Sequence, residues 1–228
     1  MAPLPAPPVT VHRFGNEREP VVQIDGFSGR PDVLLAAGRA ATYQPGGALY
    51  PGIRSWAEPD YLDIRRDLMF AVMQRVFGFR QGVRCEVSTF SLVTTPEPDL
   101  VPMQRMPHYD ESSGTVVAIM HYLLGPETGG TAFYRHRSTG FETIDAGRER
   151  MYFAALEAED RELGPVPARY HYGDSDRFEM IGEISAAPDR LIIYRGRLLH
   201  SGVIPDPANL SSDPALGRLT INMFLEGR

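Results

Sequence analysis

The stretch Arg218-Leu219-Thr220-Ile221-Asn222-Met223-Phe224-Leu225 alternates residue by residue, with Leu219, Ile221 and Met223 on one side and Arg218, Thr220, Asn222 and Phe224 on the other. Successive side chains of a strand point to opposite faces, so this is a β-strand with one apolar face and one polar face that begins with a cation. In a jelly roll such a polar face lines the bore. A guanidinium there offers two parallel hydrogen bonds to a carboxylate, and a hydroxyl two residues further on adds a third.

Upstream of this strand the same two-residue period predicts strands over 84–94, 115–124, 131–134, 178–184 and 191–194. They are interrupted by a helical pattern over about 147–163, where Met151, Ala154, Ala155 and Ala158 share a face and Gly164-Pro165 ends it. Two more helices are expected before the strands. One runs from Arg30-Pro31 to about Tyr43, and the other from Pro59 to Gly78, with Leu62, Leu68, Val72 and Val76 at helical spacing. The expected architecture is mainly β: a double-stranded β-helix, or jelly roll, over 84–228, covered on one side by a helical buttress over 20–83. Residues 1–19, rich in proline and charge, are expected to form an extended arm that adds little to the core.

A chain of 228 residues, 43% apolar and 23% charged, is long enough to bury one core and demands no second domain. The net charge of -6 is not concentrated into a basic stripe, which argues against nucleic acid as a partner. No apolar run approaches the roughly 20 residues that span a bilayer. The single cysteine, Cys85, cannot form an internal disulfide, and the N-terminus has no secretory pattern, so a cytoplasmic protein is expected.

The chemistry is carried by Met106-Pro107-His108-Tyr109-Asp110. On an extended strand, residues two apart project from the same face, which would aim His108 and Asp110 at one metal ion. A third ligand is available from His200, in Leu198-Leu199-His200-Ser201-Gly202. Two imidazoles and one carboxylate make up the facial set of non-haem iron(II) oxygenases, which leaves coordination positions open. His121 points opposite Tyr122 and is read as structural, and the Tyr170-His171-Tyr172 loop as a solvated connection or a lid.

In these features the sequence resembles the iron(II)- and 2-oxoglutarate-dependent oxygenases, in particular the prolyl-hydroxylase-like branch, over about residues 84–228. The resemblance rests on the His-x-Asp segment, the distal His200 and the basic residue on the late strand. It extends to His121-Tyr122-Leu123-Leu124, to the Gly129-Gly130 turn leading into Thr131-Ala132-Phe133-Tyr134, and to Pro188-Asp189-Arg190-Leu191-Ile192-Ile193-Tyr194. It implies Fe(II), 2-oxoglutarate and dioxygen as cofactor and cosubstrates, with His108, Asp110 and His200 as metal ligands. It also implies that Arg218, Tyr122 and Thr220 hold the 2-oxoglutarate carboxylate. The interval from His200 to Arg218, with Pro205, Pro207 and Pro214, is longer than in that branch. Ile24-Asp25-Gly26-Phe27 and Tyr50-Pro51-Gly52-Ile53-Arg54 look like helical buttressing segments of such domains.

The expected activity is oxidation, as a hydroxylase, of a small molecule or of a peptide or protein side chain. Two other readings stand beside it. A cupin-type metalloenzyme would share the jelly roll, but such enzymes usually draw ligands from a His-x-His segment, which this chain lacks. A catalytically silent jelly-roll binding protein would keep fold and metal site without turnover.

Overall fold

The computed structural model describes residues 6–228. Its strands are β1 (Val9–Arg13), β2 (Pro20–Ile24), β3 (Gln44–Pro45), β4 (Gly52–Trp56), β5 (Val83–Val93), β6 (Val116–Tyr122), β7 (Gly130–His136), β8 (Phe178–Ser185), β9 (Arg190–Arg195), β10 (His200–Val203) and β11 (Leu219–Gly227). The α-helices are α1 (Pro31–Ala40), α2 (Arg66–Arg75) and α3 (Glu149–Leu163). An eight-stranded sheet in the order β1-β2-β9-β6-β11-β5-β4-β3 faces a three-stranded sheet in the order β10-β7-β8. Every ladder in both sheets is antiparallel. This is the expected jelly roll.

The alternation in β11 decides the layering. Leu219, Ile221, Met223 and Leu225 pack with Met69, Val72 and Met73 of α2 and with Phe77 and Phe79 on the outer face of the large sheet. Phe224 faces the other way, into a cluster that also holds Val21, Ala118, Tyr122, Ile192 and Tyr194 of the large sheet and Phe133 and Ile184 of the small one. That cluster is the floor of the bore between the sheets. Each fully buried aliphatic or aromatic side chain contributes about 1.5–3 kcal/mol relative to exposure, so both faces of β11 are held by packing.

The fold departs from the expectations in three places. The helices do not lie on one side only: α3 sends Tyr152 and Leu156 into a third cluster with Ala132, Tyr134 and Phe178, covering the outer face of the small sheet. The 20–83 buttress also supplies β2, β3 and β4, and its Tyr50–Arg54 segment runs into a strand instead of a helix. These strands have at most five residues, too few for a period to stand out, and they lie toward the edges of the sheet. Finally, part of the expected arm is a sheet edge, since Val9–Arg13 pair with Pro20–Ile24. The connection between these two strands is anchored by charge: Glu17 accepts from Arg148, Glu19 accepts from Arg197 and forms an ion pair with Arg195, and the buried Glu142 carboxylate accepts from the backbone N–H groups of Asn16 and Glu17. Residues 1–5 of that arm lie outside the described residues.

Helix α1 stops at Ala40, three residues short of the expected end, because Ala41 turns extended (ψ 156°) and the Tyr43 hydroxyl folds back to donate to the Gly38 carbonyl. The second helix opens as a 3-10 turn over Pro59–Arg65 before becoming α2. Among the described residues no helix is long and apolar enough to cross a membrane.

A buried polar chain ties the helical layer to the large sheet. Asp189, at positive φ (61°) in the turn before β9, accepts from the Ser28 hydroxyl (2.6 Å), the Ser28 N–H (3.0 Å), the Gly29 N–H (2.8 Å) and His121 Nε2 (2.9 Å). Because the carboxylate can only accept, His121 Nε2 carries the proton, and in the neutral ring Nδ1 then accepts from the Tyr61 hydroxyl at 3.0 Å. The structural reading of His121 therefore agrees with its bonding.

Burial holds the His121 imidazole below its ordinary value, against the opposing pull of Asp189. Burial also pushes Asp189 upward, but hydrogen bonds from His121 and Ser28 outweigh it and hold the carboxyl below the usual range. Both shifts mean that the folded protein binds fewer protons than the unfolded chain. The stability they carry is complete above the ordinary histidine range near pH 6.5 and is lost as the pH falls, first through His121 and then, below about pH 4, through Asp189. Denaturant unfolding should therefore give a midpoint that drops steadily between pH 7 and 5. Asp189→Asn, which keeps the shape and tolerates positive φ, should unfold about 2 kcal/mol more easily at pH 7, the scale of hydrogen bonds to a charged acceptor. An equally stable variant would show that the carboxylate is dispensable.

Candidate metal centre

Pro107 precedes His108, and residues 108–110 do not form a regular strand. His108 instead makes a single antiparallel bridge to His200, donating its backbone N–H to the His200 carbonyl and accepting that of His200, both at 2.9 Å. Asp110 donates its N–H to the Gly196 carbonyl at 2.7 Å, in the turn between β9 and β10. The extended strand expected for His-x-Asp is thus replaced by a loop stitched onto that turn. The convergence it was meant to explain is nonetheless present.

His108 Nε2 lies 3.8 Å from Asp110 Oδ1, and His200 Nε2 lies 3.6 Å from Asp110 Oδ2. One ligand atom from each of the three side chains falls within 4.8 Å of the other two, and this is the one such cluster among the described residues. His200 donates from Nδ1 to the Leu198 carbonyl at 2.8 Å, which fixes the tautomer and leaves the Nε2 lone pair facing Asp110. Tyr194 packs edge-on against the His200 ring, with centroids 4.7 Å apart, and fixes its plane.

Burial pushes both imidazoles down to about 4, His200 against a hydrogen bond to Leu198 and His108 with further help from His200. Some 42% of the His108 side-chain surface is accessible, yet protein surrounds it closely, so its ring sits in a recess. Burial pushes Asp110 up to about 6, with His108 and Arg54 opposing.

These residues fit a divalent ion. Asp110 Oδ2 is buried with no hydrogen-bond partner, and no Lys or Arg among the described residues lies within ion-pair distance of the carboxylate. A buried, uncompensated carboxylate is costly, and a cation between the three donors removes that cost. Two neutral nitrogens and one carboxylate oxygen suit iron(II), and an open face remains for further ligands.

The three residues expected to grip a cosubstrate sit on the bore side of the large sheet. Thr220 is the cross-strand partner of Tyr122, and Arg218 lies just ahead of Leu219. Their polar atoms do not bond one another. Arg218 donates from Nε to the Thr128 carbonyl (2.8 Å) and from a terminal nitrogen to the Gly130 carbonyl (3.0 Å). The Tyr122 hydroxyl is paired with that of Thr131 (2.6 Å), and the Thr220 hydroxyl donates to Asn222 Oδ1 (2.8 Å). Burial pushes Tyr122 up to about 12, and the Arg218 charge opposes the shift. No carboxylate among the described residues pairs with Arg218. Its approach to the Thr128–Gly130 turn depends on glycine, because Gly129 adopts φ 99° and a Cβ on Gly130 would run into the Ile184 carbonyl across the ladder.

Arg54 and Tyr50 escaped the reading of the sequence. Arg54 of β4 pairs with Ser91, Ser91 with Thr220, and Thr220 with Tyr122, so the four side chains form one lateral row on the bore face. The one available signal was the short alternation in Gly52–Trp56, beside a turn read as buttress. An apolar cleft lined by Leu62, Met69, Phe70 and Phe79 lies on the opposite face of the sheet and contains no imidazole.

The solved structures resembling this chain carry the same fold. The epimerase SnoN in complex with Fe3+, alpha ketoglutarate and nogalamycin RO is 16% identical, with a TM-score of 0.52 over 92% of this chain and 80% of that one. HygX from Streptomyces hygroscopicus, with nickel, 2-oxoglutarate and hygromycin B bound, is 12% identical, with a TM-score of 0.50 over 91% of this chain and 82% of that one. At such identities the likeness is one of fold. No curated protein matches the sequence. Residues 5–225 match the family described as "Family of unknown function (DUF6445)", and the chain, a jelly roll with a His-Asp-His cluster in its bore, belongs to that family.

Proposed function

We propose that this protein is an iron(II)- and 2-oxoglutarate-dependent oxygenase acting as a hydroxylase. The observation that carries the reading is the buried, unpartnered Asp110 Oδ2, with the Nε2 atoms of two imidazoles 3.8 and 3.6 Å from its carboxylate, inside a bore that also holds Arg218, which pairs with no carboxylate among the described residues. Bound iron(II) would supply dioxygen activation, coupling conversion of 2-oxoglutarate to succinate and carbon dioxide with oxidation of the substrate.

The chain's own contribution is placement. His108, Asp110 and His200 would hold the ion. Arg218 orients the far carboxylate of the cosubstrate, exchanging a carbonyl contact for a charge-assisted bond, and Thr220 and Tyr122 turn their hydroxyls from Asn222 and Thr131 toward it. The apolar floor of Ala118, Phe133, Ile192 and Tyr194 keeps bulk water from the reacting atoms.

Under anaerobic conditions, Fe(II) plus 2-oxoglutarate should give a weak visible charge-transfer band, and admission of air should yield succinate. Absence of the band with the parent protein would sink the proposal, and a band without succinate in the presence of turnover substrate would favour a silent binding protein. Calorimetry should find one ion per chain. Asp110→Ala should weaken its binding by at least about 100-fold, more than loss of a supporting hydrogen bond to a ligand. Arg218→Met should leave metal binding in place and weaken 2-oxoglutarate about 10- to 100-fold, as expected for one charge-assisted contact. Unchanged cosubstrate affinity would remove Arg218 from the site.

A further inference from the structure

Outside the bore, interior arginines of this fold are answered by carboxylates, among them Arg135 by Glu142 and Glu179, Arg177 by Glu159 and Asp160, Arg190 by Asp25, and Arg195 and Arg197 by Glu19. Arg54 differs. No carboxylate among the described residues lies within ion-pair distance of it, and its Nε is buried without an acceptor. Its guanidinium carbon lies 3.9 Å from the centroid of the Tyr50 ring, which holds the group in place. The Tyr50 hydroxyl is likewise buried and unpartnered, with Ser91 beside it but outside hydrogen-bond geometry.

These donors face the bore. Arg54 shares the lateral row with Ser91, Thr220 and Tyr122, and its charge acts on Asp110 from beyond ion-pair distance. It lies two strands from β11, toward the β3–β4 edge, whereas Arg218 is tethered to the Thr128 and Gly130 carbonyls beside the small sheet. The Tyr50 hydroxyl feels both cations. Two guanidinium groups without a carboxylate partner among the described residues exceed what one end of a cosubstrate needs. The planar fork of arginine suits a carboxylate.

We infer that Arg54 and the Tyr50 hydroxyl form the receptor for a carboxylate on the substrate, which is a small carboxylic acid held with its reacting carbon toward the His-Asp-His cluster. This deepens the oxygenase reading and rests on it for the identity of the second ligand as a substrate. An anion there completes the hydrogen bonding of two buried donors that are otherwise unsatisfied.

The test uses small carboxylic acids, namely the proteinogenic amino acids, their N-acetyl derivatives and the matching hydroxy acids, each paired with its carboxamide. Binding is measured by calorimetry on the metal-free protein and by displacement of the visible band on the anaerobic Fe(II)·2-oxoglutarate complex. At least one acid should bind about tenfold or more tightly than its amide, the scale of one charge-assisted contact. Arg54→Met should abolish that preference and Arg54→Lys should keep part of it, while metal content, melting temperature and 2-oxoglutarate affinity stay at parental values. Arg218→Met should leave the preference intact in the metal-free protein.

If no acid is preferred over its amide, the inference fails. It fails equally if Arg54→Met destroys 2-oxoglutarate affinity while acid binding survives, which would make Arg54 a cosubstrate anchor. If the parent protein gives no visible band yet binds acids through Arg54, the oxygenase reading falls and the carboxylate receptor stands.

Discussion

Two backbone hydrogen bonds between His108 and His200, each 2.9 Å, determine where this protein can do chemistry. They fasten an irregular loop to the first residue of β10 and bring together imidazoles that are 92 residues apart in sequence. Side-chain positions follow from that bridge. Asp110, tied to Gly196, has no course except into the gap between the rings, and Tyr194 and the Leu198 carbonyl keep the His200 ring from turning away. The convergence is therefore paid for by main-chain bonds rather than by attraction among the ligands, which without an ion gain little from one another.

The same logic explains how much of the molecule could be read from its sequence. The long strands β5, β6, β8, β9 and β11 declare themselves, because seven or more residues of alternation, or a compact aliphatic run such as Leu191-Ile192-Ile193, leave few other conformations that bury the apolar set. Helix α3 is legible for the equivalent reason at helical period. His108 and Asp110 are legible as a pair by spacing, but that His200 meets them is a property of sheet closure, which no local pattern encodes. β1, β3, β4 and β10 have five residues or fewer and acquire their conformation from the neighbours they pair with. Arg54 was hidden with them. Its place in the row with Ser91, Thr220 and Tyr122 depends on three successive registers between strands distant in sequence.

Charge is distributed through the interior by function. Glu17, Glu19 and Glu142 neutralise arginines and hold the N-terminal segment in place, and Asp189 joins the helical layer to the sheet through His121 and Ser28. Around the bore that matching stops: among the described residues, no opposite charge lies within ion-pair distance of Arg54 or Arg218, and no cationic side chain other than the two imidazoles lies that close to Asp110. Structural electrostatics close on themselves, whereas those of a site stay open toward a ligand.

Strand β11 lies in the middle of the eight-stranded sheet, hydrogen-bonded to both β5 and β6, although it is the last strand along the chain. A nascent chain therefore holds β5 and β6 with their facing edges unpaired until residues 219–227 have left the ribosome, and the outer-face cluster lacks Leu219, Ile221 and Met223 until then. Pairing across such sequence distances is slow, and exposed strand edges invite association with other chains. Strand β11 and the residue just before it thus close sheet and bore together: a chain interrupted before residue 218 lacks both the central strand of its sheet and the arginine of its bore.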